Sequence, residues 1–164
     1  MSGYGVFARY YDDLTQNISY KERARYFDRI IKENVKEASV LADLACGTGS
    51  LSFEFAELGY DVIGVELSED MLSVAMQKKM ERPDLPFTNP LFIHQDLCEL
   101  ELYDQVDAAV CALDSLNHIT NPGAVCQVFR RVGEYVRPGG LFVFDVNTEY
   151  KHRVILGNET YVYD

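Results

Sequence analysis

Apolar and polar positions along this chain fall into two alternating rhythms. From Tyr20 to about Val35, apolar residues at Ala24, Phe27, Ile30, Ile31 and Val35 follow a 3.6-residue spacing among charges, which predicts an amphipathic helix. The run Ser39 to Leu44 is continuous and apolar except for Asp43, as in a buried strand. Gly49 to Leu58 returns to helical spacing through Leu51, Phe55 and Leu58, and Gly59 is a natural stop. A second strand follows at Asp61 to Val65. Ser68 then caps a helix to about Met80, with Glu69 and Asp70 in the first turn, where the helix dipole favours acids. The stripe of that helix, Met71, Leu72, Ala75, Met76 and Met80, reads as core packing.

The three prolines between Arg82 and Pro90 mark a loop. Leu91 to His94 and Val106 to Leu113 read as strands. Asn121 caps and Pro122 opens a helix to about Val136, and Pro138-Gly139-Gly140 turns into a last strand, Leu141 to Val146. Residues 1 to 18 show no clear period. Helices alternating with five apolar strands predict an α/β fold, a doubly wound and mostly parallel sheet with helices on both faces.

One junction in this pattern carries chemistry. The first strand breaks into Ala45-Cys46-Gly47-Thr48-Gly49, a helix follows at once, and the second strand ends on Glu66, 19 residues after Gly47. Strand, glycine turn, helix, strand and terminal acid form half of a nucleotide-binding unit: glycines let the backbone approach a ligand, and the acid accepts hydrogen bonds from a ribose. The spacing does not match Gly-x-Gly-x-x-Gly, since Ser52 or Ser50 stands at the third position, and no Lys follows the glycines as a P-loop requires. A nicotinamide oxidoreductase remains an alternative enzyme class that this spacing disfavours.

Composition narrows the partners. With 15 Lys and Arg against 26 Asp and Glu, the net charge is −11, and no basic stripe is present to meet nucleic acid or an anionic membrane. No apolar stretch approaches the ~20 residues of a membrane span, and the N-terminus lacks the order of a signal peptide, which together point to the cytoplasm. The cysteines at 46, 98, 111 and 126 contain no CxxC pair, so reduced thiols and no metal site are expected.

The pattern that does fit is acid-x-small-x-Gly-x-Gly, from Asp43 to Gly49. Here the chain resembles the class I S-adenosylmethionine-dependent methyltransferases, whose motifs recur in order: LADLACGTG, VIGVELSEDML, HQDL around Asp96, VDAAVCALDSLNHI and YVRPGGLFVFDVN. The opening FARYYDDL and the segment ILGNETYVYD look most like bacterial small-molecule methyltransferases with an N-terminal helical cap. The resemblance implies a Rossmann-like sheet of methyltransferase type within one S-adenosylmethionine-binding domain, residues 1–164. Residues 1–37 would form the cap segment and helix, 38–147 the core and 148–164 the start of a C-terminal part. Ala45 departs from the family, which usually has glycine there.

The resemblance also assigns roles. Asp43 would organise the loop and reach the methionine amino group, and the backbone of Ala45, Cys46, Gly47 and Gly49 would pass against the methionine and ribose. Glu66 would hold the ribose hydroxyls, Leu67 and Met71 would pack on adenine, and Asp96 with Leu97 would read its amino edge. Ala112 or Leu113 would offer a carbonyl near the methionine, while Tyr11 would close the pocket. Methyl transfer needs alignment first, and a base only where the acceptor must lose a proton. Asp114 and His118, in the loop after the fourth strand, and Tyr11 are the candidate catalytic residues, His118 as the base. Asp145 and Asn147 end the fifth strand, where open α/β sheets bind ligands.

The family's sheet usually has seven strands, and this chain supplies five. It therefore reads as a fragment lacking the final hairpin, with a fifth strand exposed as an edge that favours pairing with another chain, as in a homodimer. A small-molecule methyl acceptor is the expected partner. A non-catalytic cofactor-binding or partner module of the same fold is the remaining alternative.

Overall fold

The computed structural model describes residues 4–86 and 88–157. Five strands, β1 (Val40–Leu44), β2 (Asp61–Glu66), β3 (Leu91–His94), β4 (Val106–Cys111) and β5 (Val136–Phe144), form one parallel sheet in the order β3-β2-β1-β4-β5. The connections are α3 (Ser50–Glu57), α4 (Glu69–Met80) and α5 (Pro122–Tyr135), preceded by α1 (Tyr4–Leu14) and α2 (Tyr20–Asn34). The chain order reverses at β1, between β2 and β4. That is the switch point outside whose carboxyl ends open α/β sheets bind ligands.

Alternation along β1 divides the core. Leu41 faces Ala24, Phe27 and Ile31 of α2 and Phe55 of α3, whereas Ala42 and Leu44 face Val128 and Val132 of α5 across the other side of the sheet. Each of these side chains is almost fully excluded from water, and burying one of the larger ones contributes roughly 1.5–3 kcal/mol. The caps read from the sequence are in place: the Ser68 side chain accepts from the Met71 N–H, and the Asn121 side chain from those of Gly123 and Ala124.

Three departures from the pattern have physical causes. Residues 4–14 are helical although no period announces it, because α1 buries little: Ala8 is covered, while Phe7, Tyr10 and Leu14 stay exposed. Helix α4 buries Met71, Leu72 and Ala75 but leaves Met76 partly and Met80 largely exposed, so the stripe is narrower than its composition suggests.

The last strand starts earlier than Leu141. Val136 already pairs with Val106, the residues around Pro138-Gly139-Gly140 bulge out, and pairing resumes with Leu141 opposite Ala108. Gly140 must be glycine, because a Cβ there would lie 2.6 Å from the Asp107 carbonyl oxygen. The Asp107 carboxylate fastens this end of the sheet. Burial opposes its ionisation, yet it accepts from the Val40 and Ser39 N–H groups at 2.8 and 2.7 Å and from Arg137, which hold its pKa down to about 2. The segment Glu159 to Asp164, read as the start of a further strand, lies outside the described residues. Among the described residues no helix is long and apolar enough to cross a membrane.

Candidate functional site

The carboxyl ends of β1 and β4 open onto a cleft enclosing about 360 Å³, part of it open to solvent. Tyr11, Asp43, Ala45, Cys46, Gly47, Ala112 and Leu113 line it together with Tyr20, Thr48, Ser50, Leu51 and Ser115.

Alternate members of the turn use left-handed backbone: Ala45 (φ 57°), Gly47 (φ 57°) and Gly49 (φ 74°). A Cβ added at Gly47 would meet nothing within 4 Å, so the backbone there faces open space and is accessible to a ligand. Gly49 is closed in instead, since its Cβ would fall 2.7 Å from the Phe92 ring. Ala45 keeps the turn's shape at a cost of about 1–2 kcal/mol for a residue with a Cβ. Part of that would be recovered by Ala45→Gly, which also loosens the unfolded chain. The variant should gain up to about 1 kcal/mol in urea unfolding with no change in the fold; a loss of stability would show that the alanine methyl packs usefully.

The acids divide their work differently from expectation. Asp43 does not bond the loop: it is buried and accepts from Ser52 Oγ at 2.5 Å. Burial, and secondarily the nearby Glu66 charge, push its pKa up to about 7 although the Ser52 hydrogen bond opposes this, and no cation among the described residues answers it. The loop is held by Glu66, whose Oε2 accepts from the Gly47 N–H at 3.0 Å and whose Oε1 accepts from the Ser68 N–H at 2.8 Å. Cys46 is no candidate nucleophile, because burial and then the Asp43 and Glu66 charges raise its thiol well above the ordinary range.

The site continues along the sheet toward β3. Leu67 is exposed just beyond β2, with its carbonyl tied to His94 Nε2 at 2.7 Å, and Met71 is buried behind it. Asp96 is exposed, and its Oδ1 caps the short turn Leu97–Glu99 by accepting from the Cys98 N–H, while Leu97 is buried. Tyr11 comes from α1, and burial, with the Tyr20, Asp114, Asp12 and Glu66 charges adding, lifts its phenol to about 12; at neutral pH it is a hydrogen-bond donor and no base. His118 sits on the outer, exposed side of the turn Ser115–His118 and is not part of the cleft wall.

A polar latch that no local pattern signals ties α1 over the site. The Asp12 carboxylate accepts from Thr48 Oγ1 at 2.7 Å, Ser50 Oγ at 3.1 Å and Lys78 Nζ at 2.9 Å, joining α1, the glycine turn and α4. Its partners lie 36 to 66 residues away in the chain.

The family described as "Methyltransferase domain" matches residues 41–140. The protein YqeM of Bacillus subtilis (strain 168), provisionally named a methyltransferase, is 35% identical over 159 residues, which cover 96% of this chain and 61% of YqeM. A dTDP-3-amino-3,6-dideoxy-α-D-glucopyranose N,N-dimethyltransferase of Streptomyces fradiae is 27% identical over 143 residues, 86% of this chain and 53% of that protein. Among solved structures, an S-adenosylmethionine-dependent methyltransferase from Clostridium acetobutylicum superposes with a TM-score of 0.82 at 32% identity, covering 98% of this chain and 64% of that one. The chain thus spans between about half and three fifths of the length of the curated relatives it matches.

Proposed function

From its membership of the methyltransferase-domain family, which the match over residues 41–140 establishes, we propose that this chain holds S-adenosylmethionine in the cleft at the carboxyl ends of β1, β2 and β4, for methyl transfer to a small molecule. The observation that carries this reading is the paired environment of Asp43 and Glu66. One is a buried carboxyl without a cation, the other a carboxylate at the rim of a turn whose backbone at Gly47 faces open space.

The residues present fit the cofactor. The amino group would find Asp43, the ribose hydroxyls Glu66, and the adenine the space beside Leu67, with Asp96 at its edge. When bound, the cofactor supplies a methyl group on a positive sulfur, already activated toward a nucleophile. The chain contributes orientation, which is worth up to about 7–11 kcal/mol when complete, and a site from which Tyr11 and α1 exclude water. The protonated Tyr11 phenol is available as a hydrogen-bond donor toward the cleft, and the Asp114 carboxylate adds negative charge near it. His118 remains the base proposed for an acceptor that must lose a proton, and its exposed position requires that acceptor to reach the rim of the cleft. The acceptor class, a small molecule, is supported by relatives named for sugar and demethylmenaquinone methylation. Among the described residues β5 is the outermost strand on its side of the sheet, beside the Phe129–Phe142–Phe144 cluster, and this supports pairing of two copies.

Calorimetry with S-adenosylhomocysteine and with NAD tests the reading. Binding of the former and not the latter is expected; NAD binding alone would overturn it.

The pH dependence follows from Asp43. Its folded pKa of about 7 exceeds the unfolded value of about 3.8, so its favourable contribution to the unliganded chain is present below pH 4 and is lost as pH rises toward 7. A bound ammonium group favours the ionised carboxylate, so binding below pH 7 must release a proton. Affinity for S-adenosylhomocysteine should therefore fall by up to about tenfold per unit as pH drops below 7, and Asp43→Asn should abolish that slope. A proton count of zero at pH 6, from calorimetry in buffers of different ionisation enthalpy, would contradict the assignment.

A further inference from the structure

Beyond the glycine turn, left-handed backbone at non-glycine residues occurs at Glu37, singly, and as an adjacent pair after β4. Leu113 (φ 58°) and Asp114 (φ 51°), directly after the end of β4, are consecutive non-glycine residues in left-handed conformation. A conformation this costly persists only where its surroundings over-determine it. Those surroundings are on the next strand. Asp145, the residue after β5, accepts from the Leu113 N–H through Oδ2 at 3.1 Å and from the Asp114 N–H through Oδ1 at 2.5 Å, one carboxylate spanning both peptide groups. Its own N–H donates to the Cys111 carbonyl at 3.3 Å, and Arg23 of α2 approaches Oδ2 at 3.7 Å. Asn147 adds a second tie by donating from Nδ2 to Asp114 Oδ2 at 2.7 Å, and it is itself held by Lys151 Nζ at 2.6 Å.

The clamped bend has a product. Ala112 and Leu113 stand in the cleft wall across from Asp43, whose strand neighbour on β4 is Val110. The opposite end of the site, around Glu66 and the end of β3, receives nothing from Asp145. We infer that Asp145 is a positioning residue of the cofactor site. It does not touch the ligand; it fixes the left-handed bend at Leu113–Asp114 and so sets the wall that meets the amino-acid end of the cofactor. The inference rests on the proposed cofactor reading. It gives Asp145 and Asn147, expected from their place at the end of the fifth strand to meet ligand directly, a supporting task instead.

The experiment uses two ligands that differ only at that end. S-adenosylhomocysteine carries the amino-acid chain, and 5′-methylthioadenosine lacks it. In Asp145→Ala, affinity for S-adenosylhomocysteine should fall about tenfold or more, while affinity for 5′-methylthioadenosine stays as in the unaltered chain, because misplacing a contact by ~1 Å is enough for such a loss. Adding Leu113→Gly should restore most of the loss, since glycine takes the left-handed conformation without a clamp. Equal weakening of both ligands would make Asp145 a general structural support and overturn the inference, as would failure of Leu113→Gly to rescue. If the unaltered chain binds neither ligand, the cofactor reading fails, and the inference falls with it. Binding by the unaltered chain together with an unselective Asp145→Ala overturns the inference alone.

Discussion

Replacing Glu66 with alanine is expected to weaken S-adenosylhomocysteine binding about a hundredfold, close to 3 kcal/mol. An ionised carboxylate offers about four lone-pair positions. Two are occupied by the N–H groups of Gly47 and Ser68, so the remaining ones can serve two ribose hydroxyls while the loop stays held. Alanine removes both functions: the hydroxyls lose a charged acceptor, and two backbone donors lose the partner that fixes the turn. Glu66→Gln separates them. Its single carbonyl oxygen keeps one donor, its amide group opposes the other, and an intermediate affinity follows. Calorimetry measures the binding losses, and unfolding of the unliganded chain measures the loop's share, about 1 kcal/mol. Unchanged affinity in Glu66→Ala would remove the ribose role.

The second large effect concerns packing under the loop. The Phe92 ring, edge-on to Phe53 at 5.7 Å between centroids, occupies the space that side chains at Gly49 and Gly64 would need. A Cβ at Gly64 would stand 2.6 Å from the ring and 3.0 Å from Cys46 Sγ; one at Gly49 would stand 2.7 Å from the ring. Either alanine overpacks the site, at about 1–3 kcal/mol. The two then diverge. Gly64 has no unusual φ, so Gly64→Ala should recover almost fully once Phe92→Leu makes room. Gly49→Ala also carries the left-handed penalty of φ 74°, so about 1–2 kcal/mol should persist in the Phe92→Leu background. Urea unfolding of the single and double variants, each against Phe92→Leu alone, gives the comparison. Equal rescue at both positions would mean that backbone conformation contributes little at Gly49.

How far the sequence could be read follows from where its information lies. Strands β1 and β4 and helices α2, α4 and α5 were legible, because a buried face writes a period and because Ser68, Asn121 and Pro122 are caps with local chemistry. Helix α1 was not, since Phe7, Tyr10 and Leu14 are apolar yet exposed and blur the period, and the Asp12 contacts that tie it down are made to distant residues. Within the site, the glycine turn and Glu66 are adjacent in pattern to what they do. That Glu66 and not Asp43 bonds the loop was hidden, because spacing places both acids near strand ends without saying which one accepts from the turn. The Asp145 clamp joins residues 31 and 32 positions apart through backbone donors, and backbone donors have no letter in a sequence.

The latch on α1 bears on traffic rather than on affinity. Helix α1 is 11 residues long and is tied to the glycine turn and α4 by the Asp12 carboxylate, while its Phe7, Tyr10 and Leu14 stay exposed. Lifting it exchanges ion-pair and hydroxyl contacts for water, whereas moving any strand or the Phe92 layer would break the core. The easy route in and out of the cleft is therefore past this one helix. Weakening the Asp12–Lys78 pair, by substitution or by salt, should therefore shorten the residence time of whatever occupies the cleft and leave the sheet untouched.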